Sequence, residues 1–324
     1  MILTNDQLKS TLRGAVDIRE ENGHVAPYRF NAYLRSEVYG VGNHYHAAVL
    51  ETSGVISTFV TNSETLSFCY EVNEANAQQS FDVWANGIFL SHTPIAEKTG
   101  RVEIELMGGE KTVTVYFPYR LAGRIFDLVL EDGASFNAAP KARHNILFLG
   151  DSITHGCTTY MSSMTYAHQL ARALDANIIN QGIAGEGFNP TAVDTELPFE
   201  PDMISIAYGT NDWSHNPSHS HFAGVCNGHL AALRDRYPRV PILMILPIWR
   251  ADYTLTTKKV GSFEEACRVM TEAAERFGVF TVDGFALVPH VKGVMEDDRL
   301  HPDTLGFQFY AEGLLPHFER ILGR

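Results

Sequence analysis

Basic residues are in short supply in this chain: 25 Lys and Arg stand against 38 Asp and Glu in 324 residues, a formal net charge of -13. A surface of that sign repels phosphate backbones and anionic membranes and leaves no basic stripe for nucleic acid. A small, neutral substrate fits better. Cysteine is scarce too. Cys69, Cys157, Cys226 and Cys267 are scattered without paired spacing, which excludes a clustered disulfide framework or zinc site and reads as free thiols in a reducing compartment. Long apolar runs are missing: nowhere do roughly 18 apolar residues follow one another, and the start Met1-Ile2-Leu3-Thr4-Asn5-Asp6 has neither the positive nor the apolar segment of an export signal. The expectation is a soluble protein of the cytoplasm with no membrane partner.

What is present is ordinary for a folded protein, with 45% hydrophobic and 19% charged residues. The length suggests two domains, each able to bury its own core. From about residue 45 to about 130 the pattern alternates with period two: Leu66, Phe68, Tyr70 and Val72 face one way, Ser67, Cys69 and Glu71 the other. Val102, Ile104 and Leu106 alternate likewise before Gly108-Gly109 turns the chain into Val113, Val115 and Phe117. Asn86-Gly87, between Phe81-Asp82-Val83-Trp84 and Ile88-Phe89-Leu90, reads as another hairpin turn. Strand after strand with tight turns predicts a β-sandwich or jelly roll over residues 1–140.

The character changes at Asn137-Ala138-Ala139-Pro140-Lys141. Beyond it, continuous apolar runs recur at 145–149, 177–179, 203–207, 242–246 and 279–282, with helix-compatible stretches near 164–175, 220–236, 262–277 and 304–320. Alternating strand and helix predicts an α/β domain over residues 141–324, a parallel sheet with helices on both faces. Such sheets bind ligands at the carboxyl ends of their strands.

Several of those ends carry polar chemistry. Gly150-Asp151-Ser152-Ile153-Thr154 follows the first run, and a serine there is either a helix N-cap or a nucleophile among free backbone N–H groups. Asn180-Gln181-Gly182-Ile183-Ala184-Gly185-Glu186-Gly187 follows the second, and Gly209-Thr210-Asn211-Asp212 the third. Glycine lets a backbone N–H approach a substrate oxygen, and an asparagine amide can aim a second donor at the same spot. With the Ser152 N–H they could form an oxyanion hole. Before the last helix stands Asp298-Arg299-Leu300-His301-Pro302. On a helical turn, a three-residue spacing puts Asp298 and His301 on one face, so that the aspartate can fix the imidazole tautomer and leave the other nitrogen to take the Ser152 proton.

These four blocks, in this order, resemble the SGNH hydrolases, also called GDSL-type esterases and lipases, over roughly residues 145–320. The resemblance implies a three-layer α/β/α fold and the following roles. Ser152 is the nucleophile, Gly185 the second-block oxyanion glycine with Gly182 its competitor, and Asn211 the third-block donor. Asp298 and His301 are the terminal pair, with Asp297 the alternative orienter. An N-terminal β-sandwich ahead of such a domain is similar to bacterial carbohydrate esterases that remove acetyl groups from saccharides. The implied reaction is hydrolysis of short acyl esters, with an acyltransferase using the same triad or a lipase or arylesterase of broad specificity as alternatives. The implied partner is a small ester, an acylated saccharide among the candidates; a homo-oligomer is left open.

Asp151 and Asp212 are expected to brace turns rather than react. Trp213, and Trp249 beside Arg250, also fall at strand ends and either pack the core or form an aromatic substrate wall, with Tyr160 a further candidate. His215, His219, His221 and His229 crowd one segment and His44 and His46 another. His219 and His221 are expected in a Pro/Ser-containing loop where their side chains diverge. The chemistry needs no metal, and no metal or other cofactor is expected.

Overall fold

The first half of the computed structural model, which describes every residue except Arg299 and Arg324, is built from antiparallel sheets. It begins with a reciprocally capped helix, α1 (Asn5–Thr11), in which Thr4 Oγ1 accepts the Gln7 N–H and Gln7 Oε1 accepts the Thr4 N–H. β1 (Leu12–Arg13), β2 (Asp17–Glu21) and β3 (His24–Tyr28) follow, then a π-helical turn (Leu34–Val38) and α2 (His46–Leu50). The remaining strands are β4 (Ile56–Thr61), β5 (Thr65–Val72), β6 (Asn76–Ala85), β7 (Ile88–Ile95), β8 (Thr99–Glu105), β9 (Lys111–Tyr116), β10 (Gly123–Leu130) and β11 (Phe136–Ala138). They form one sheet in the order β1-β4-β9-β6-β7, with β11 against β4, and a second in the order β10-β5-β8; β2 and β3 pair separately.

Alternation builds this half. In β5, Leu66, Phe68, Tyr70 and Val72 are buried while the residues between them are partly exposed, and inward residues of both sheets, among them Phe68, Phe81 and Val115, join one core. Asn86 and Gly87 join β6 to β7 with φ of 48° and 77°, the two left-handed residues that a tight hairpin turn requires. The Gly108-Gly109 turn differs from a hairpin. β8 pairs with β5, whereas β9 pairs with β4 and β6, so the chain crosses from one sheet to the other. The Leu106 N–H, bonded to Glu64 O at 2.8 Å, holds the end of β8 on its own sheet.

The second half is a five-stranded parallel sheet, β12 (His144–Gly150), β13 (Ala176–Asn180), β14 (Met203–Ala207), β15 (Ile242–Ile245) and β16 (Phe280–Val282), in the order β13-β12-β14-β15-β16. Between and after the strands lie α3 (Ser152–His155), α4 (Tyr166–Leu174), α5 (Thr210–His215), α6 (His219–Arg236), α7 (Phe263–Phe277) and α8 (Thr304–Leu322). Every residue of β14 is buried, because each face of the sheet is covered. Leu147 and Leu149 of β12 point with Ile204 and Ile206 into a core closed by α6 and α7. Ile146 and Phe148 point the other way, into a core closed by α4 and α8. His219 and His221 stand in the first turn of α6, not in a loop, because Ser218 caps the helix by accepting the His221 N–H. Among the described residues, no helix is long and apolar enough to cross a membrane.

Among the polar contacts that join the halves, two sets hold the turns near the candidate site. The Ser163 N–H donates to Asp82 Oδ2 at 2.7 Å, Ser162 Oγ donates to Ser80 O at 2.9 Å, and the Arg172 guanidinium lies 4.3 Å over the Trp84 ring. The other set comes from residues 29–53, which lie against the turn after β13. There the fully buried Arg29 donates to Asn180 O at 2.8 Å and Gly182 O at 2.7 Å, and also to Ala48 O and Glu51 O. Burial lowers its pKa to about 10, against the pull of Glu51.

Candidate active site

With both faces of the parallel sheet covered, its polar side chains collect at the carboxyl ends of the strands. β12 ends at Gly150, and Asp151 caps the short α3 by accepting the Ile153 N–H at 3.0 Å. The cap is therefore Asp151, and Ser152, 8% exposed, is the first helical residue with its hydroxyl free for another partner. Ser152 Oγ donates to His301 Nε2 at 2.7 Å. His301 Nδ1 lies 2.5 Å from Asp298 Oδ2, which places the ring proton on Nδ1 and a lone pair on Nε2.

The Asp298 to His301 spacing works through a carboxylate-capped turn. Asp298 Oδ1 accepts the N–H groups of Leu300 at 2.9 Å and His301 at 3.0 Å, leaving Oδ2 for the imidazole. Burial by itself would raise the Asp298 carboxyl pKa; the His301 and Leu300 N–H groups and the His301 ring outweigh it and hold the pKa below the ordinary value. Asp297 does not reach the imidazole but lines a neighbouring cavity.

The donor turns are stitched together. Asn211, at the start of α5, uses one amide hydrogen to bond Glu186 O at 3.0 Å, leaving the other available. Asp212 accepts N–H groups from Phe188 at 3.1 Å and Gly209 at 3.1 Å, and the Asn216 amide at 3.1 Å, so it ties the turn after β14 to the turn after β13. Gly187 is required there, since a Cβ would stand 2.6 Å from Asp212 Oδ1. Gly182 donates its N–H to Asn180 Oδ1 at 2.9 Å. The N–H groups of Gly185 and Ser152 have no partner among the described residues. Arg250 anchors α5 from behind by donating to Thr210 O at 3.0 Å and Ser214 Oγ at 2.9 Å.

Three carboxyls lie buried beneath these turns. Burial pushes Asp151 up to about 7, Glu186 to about 7 and Asp212 to about 6; the charge of Asp212 adds to the shift at Asp151 and Glu186. Glu186 accepts a hydrogen bond from the Tyr39 hydroxyl. Sequence reasoning missed Glu186, Tyr39, Tyr45, His155 and Arg29. Only Glu186, inside a glycine-rich turn, carried a local signal.

Trp213 does not form a substrate wall. Its side chain is 0% exposed, its Nε1 donates to Gly261 O at 3.0 Å, and Phe263, Arg250 and Lys258 pack around its ring. Facing inward from α5, it joins the core closed by α6 and α7. Trp249 stacks on His290 with ring centroids 4.7 Å apart, and both line a cavity of about 310 Å³ with Met295, Lys292, Glu296 and Asp297. That cavity adjoins Asp298 along the chain, and the Glu296 N–H bonds to His301 O at 2.9 Å. Tyr160, 53% exposed, donates its N–H to Thr304 Oγ1 at 3.1 Å, and the nearby Glu296 charge raises its pKa. His229 is buried and bonds Asn189 O, whereas His221 bonds the Asn216 side chain.

The sequence profile of the GDSL-like lipase/acylhydrolase family matches residues 148–309, half of the 324-residue chain. A search of curated proteins found no match. Among solved structures, a salicylyl-acyltransferase from a tetracycline biosynthetic pathway superposes with a TM-score of 0.82 at 21% identity, covering 96% of this chain and 94% of its own. A Bacteroides ovatus protein described as a GDSL-like lipase gives 0.82 at 18% identity, covering 100% and 98%. A family two carbohydrate esterase from Clostridium thermocellum gives 0.67 at 20% identity, covering 84% and 93%. At these identities the likeness establishes a shared fold.

Proposed function

Because the chain belongs to the GDSL-like lipase/acylhydrolase family, we propose that it is a serine esterase that cleaves short acyl esters, acetyl esters foremost, of carbohydrates or related small alcohols. The observation that carries this reading is the continuous hydrogen-bonded line from Asp298 through His301 to Ser152 Oγ. His301 Nε2 takes the hydroxyl proton as Oγ bonds to the ester carbonyl carbon, and the carbonyl electrons move onto the oxygen. Collapse of that tetrahedral species breaks the bond to the alcohol, which leaves with the proton from His301. Water then repeats the sequence on the acyl-serine, releasing acid and free serine. The Ser152 N–H, the Gly185 N–H and the second hydrogen of the Asn211 amide hold the oxyanion.

The surroundings support this substrate class. The cavity of about 310 Å³ beside Asp298 combines an aromatic wall, Trp249 on His290, with the charged side chains Lys292, Glu296 and Asp297. Such a rim suits the ring and hydroxyls of a sugar better than a long alkyl chain. The carbohydrate alcohol is also that of the esterase whose fold the chain shares.

The test measures initial rates on nitrophenyl esters from acetyl to octanoyl and on acetylated monosaccharides, with Ser152→Ala as the blank. Rates should be highest for acetyl and fall with chain length, with acetate released in step with alcohol. Equal rates on octanoyl esters would overturn the short-acyl reading. Acyl groups appearing on an added sugar in preference to water would make the protein an acyltransferase.

A further inference from the structure

The Gly185 N–H belongs to a peptide plane whose two neighbouring planes are both held by side chains. On one side, the Ala184 N–H donates to His155 Nδ1 at 3.2 Å. On the other, Gly185 O accepts from the Tyr45 hydroxyl at 3.0 Å. The Glu186 N–H closes the turn onto Ile183 O at 3.1 Å. Gly185 itself sits at φ +87°, which L side chains rarely adopt. These bonds fix both ends of the middle plane, so the place of its N–H is set and the one motion left to it is rotation of that plane about the axis joining its two Cα atoms.

The two holders come from different halves. His155 ends α3, three residues after the Ser152 hydroxyl, and is fully buried. Its Nε2 donates to Tyr119 O at 2.9 Å and stands 2.8 Å from Glu51 Oε2, and its carbonyl accepts from Ser53 Oγ at 2.7 Å. Burial lowers the imidazole pKa against the pull of Glu51. A neutral ring with its proton on Nε2 leaves Nδ1 as the acceptor that the Ala184 N–H needs. Tyr45 comes from the turn before α2, and its ring covers Gly185: Cε1 lies 3.6 Å from where a Cβ on that glycine would be.

We propose that Tyr45 and His155 are positioning residues that together aim the Gly185 N–H at the oxyanion, so that the N-terminal half takes part in the chemistry through one phenol. This rests on the esterase reading above and on Gly185 as a donor. Neither residue touches the reacting atoms. Their effect is on the transition state, where the oxyanion exists, rather than on ground-state binding.

The experiment compares Tyr45→Phe, His155→Asn and His155→Gln in the full chain, reading kcat and KM on an acetyl ester and the inhibition constant of a boronic acid that forms a tetrahedral adduct with Ser152. Asparagine can place an acceptor where Nδ1 stood, whereas glutamine can place a donor where Nε2 stood. Tyr45→Phe should lower kcat about 10-fold with KM within about two-fold, and weaken the boronic acid by the same factor. His155→Gln should lose about 10- to 100-fold in kcat, and His155→Asn should recover most of it. Unchanged kcat in Tyr45→Phe, or a change in KM alone, would overturn the proposal, the latter making Tyr45 a substrate contact. Glutamine outperforming asparagine, or both failing while folded, would reduce His155 to a tie to Tyr119 and Glu51 and overturn its part. A wild-type chain that neither turns over the ester nor labels at Ser152 with a fluorophosphonate would sink the esterase reading itself. A wild type that does both beside an unaffected Tyr45→Phe sinks this inference alone.

Discussion

The two halves of the molecule distribute their polar residues in opposite ways. In the antiparallel half a strand such as β5 buries every second residue and shows the others partly to solvent, so polar side chains can stand anywhere along it. In the parallel half a strand such as β14 is buried throughout, and polar chemistry is driven to the strand ends. Ser152, Asn211 and the Gly182 to Gly187 turn all lie just past such ends. A doubly covered sheet concentrates reactive groups; a half-covered one disperses them.

That contrast can be broken most sharply at Ser152. Ser152→Ala should reduce turnover of an acetyl ester by at least about 10⁴-fold while the melting temperature barely moves, measured by initial rates and calorimetry on the same sample. Phe68→Ala in the antiparallel core should do the reverse. Phe68 is fully buried against Phe81, with ring centroids 5.7 Å apart, and its truncation should cost about 3–5 kcal/mol in denaturant unfolding. The folded fraction should keep its kcat. A Phe68→Ala chain that folds yet turns over slowly would show that the packing of the antiparallel core, and not only its polar contacts with the other half, bears on turnover.

Asn211→Ala should lower kcat by about 100- to 1000-fold with KM little changed; retention of full turnover would remove Asn211 from the oxyanion hole. The smallest effect is on the pH dependence of stability. Glu186 ordinarily titrates at 4.5 and is raised by burial to about 7, so between those values the folded chain holds a proton that the unfolded chain has released. Stability therefore falls as pH rises through that window, by about 3 kcal/mol from this group. Glu186→Gln keeps an acceptor for Tyr39 and should flatten the decline in melting temperature between pH 4.5 and 7, with Asp151 and Asp212 supplying the remaining slope. An identical decline in the variant would refute the shift.

The parallel sheet was legible because five apolar runs at helix-length intervals have few other solutions, and the alternation of residues 66–72 because one face of β5 is buried. The Asp298 to His301 pairing was legible as a spacing but not as a geometry: the same three-residue step serves a helical turn and a carboxylate-capped turn. Trp213 and Trp249 were indistinguishable from sequence. Both follow strands and both are buried, Trp213 in the core closed by α6 and α7 and Trp249 in the core closed by α4 and α8, and only Trp249 also borders the cavity beside Asp298. Arg29, Tyr39, Tyr45 and His155 gave no signal, since their partners are backbone atoms and side chains far away along the chain, and neither periodicity nor local spacing records such contacts. The crossing at Gly108-Gly109 was hidden for a similar reason: two glycines mark a turn without saying to which sheet it leads.

The contacts of Arg29 bear on how the molecule comes to be made. Its two carbonyl acceptors at the end of β13 and in the turn beyond lie 151 and 153 positions further along the chain, so a ribosome delivers the arginine long before these two can receive it. Buried without those acceptors, the guanidinium would be a desolvated cation lacking part of its hydrogen bonding. The bonds from Arg29 to Asn180 and Gly182 can therefore form only once β13 and its turn have been made. Order of synthesis thus acts as a timer: no growing chain carries the finished candidate site until the strands and turns of both halves have been made.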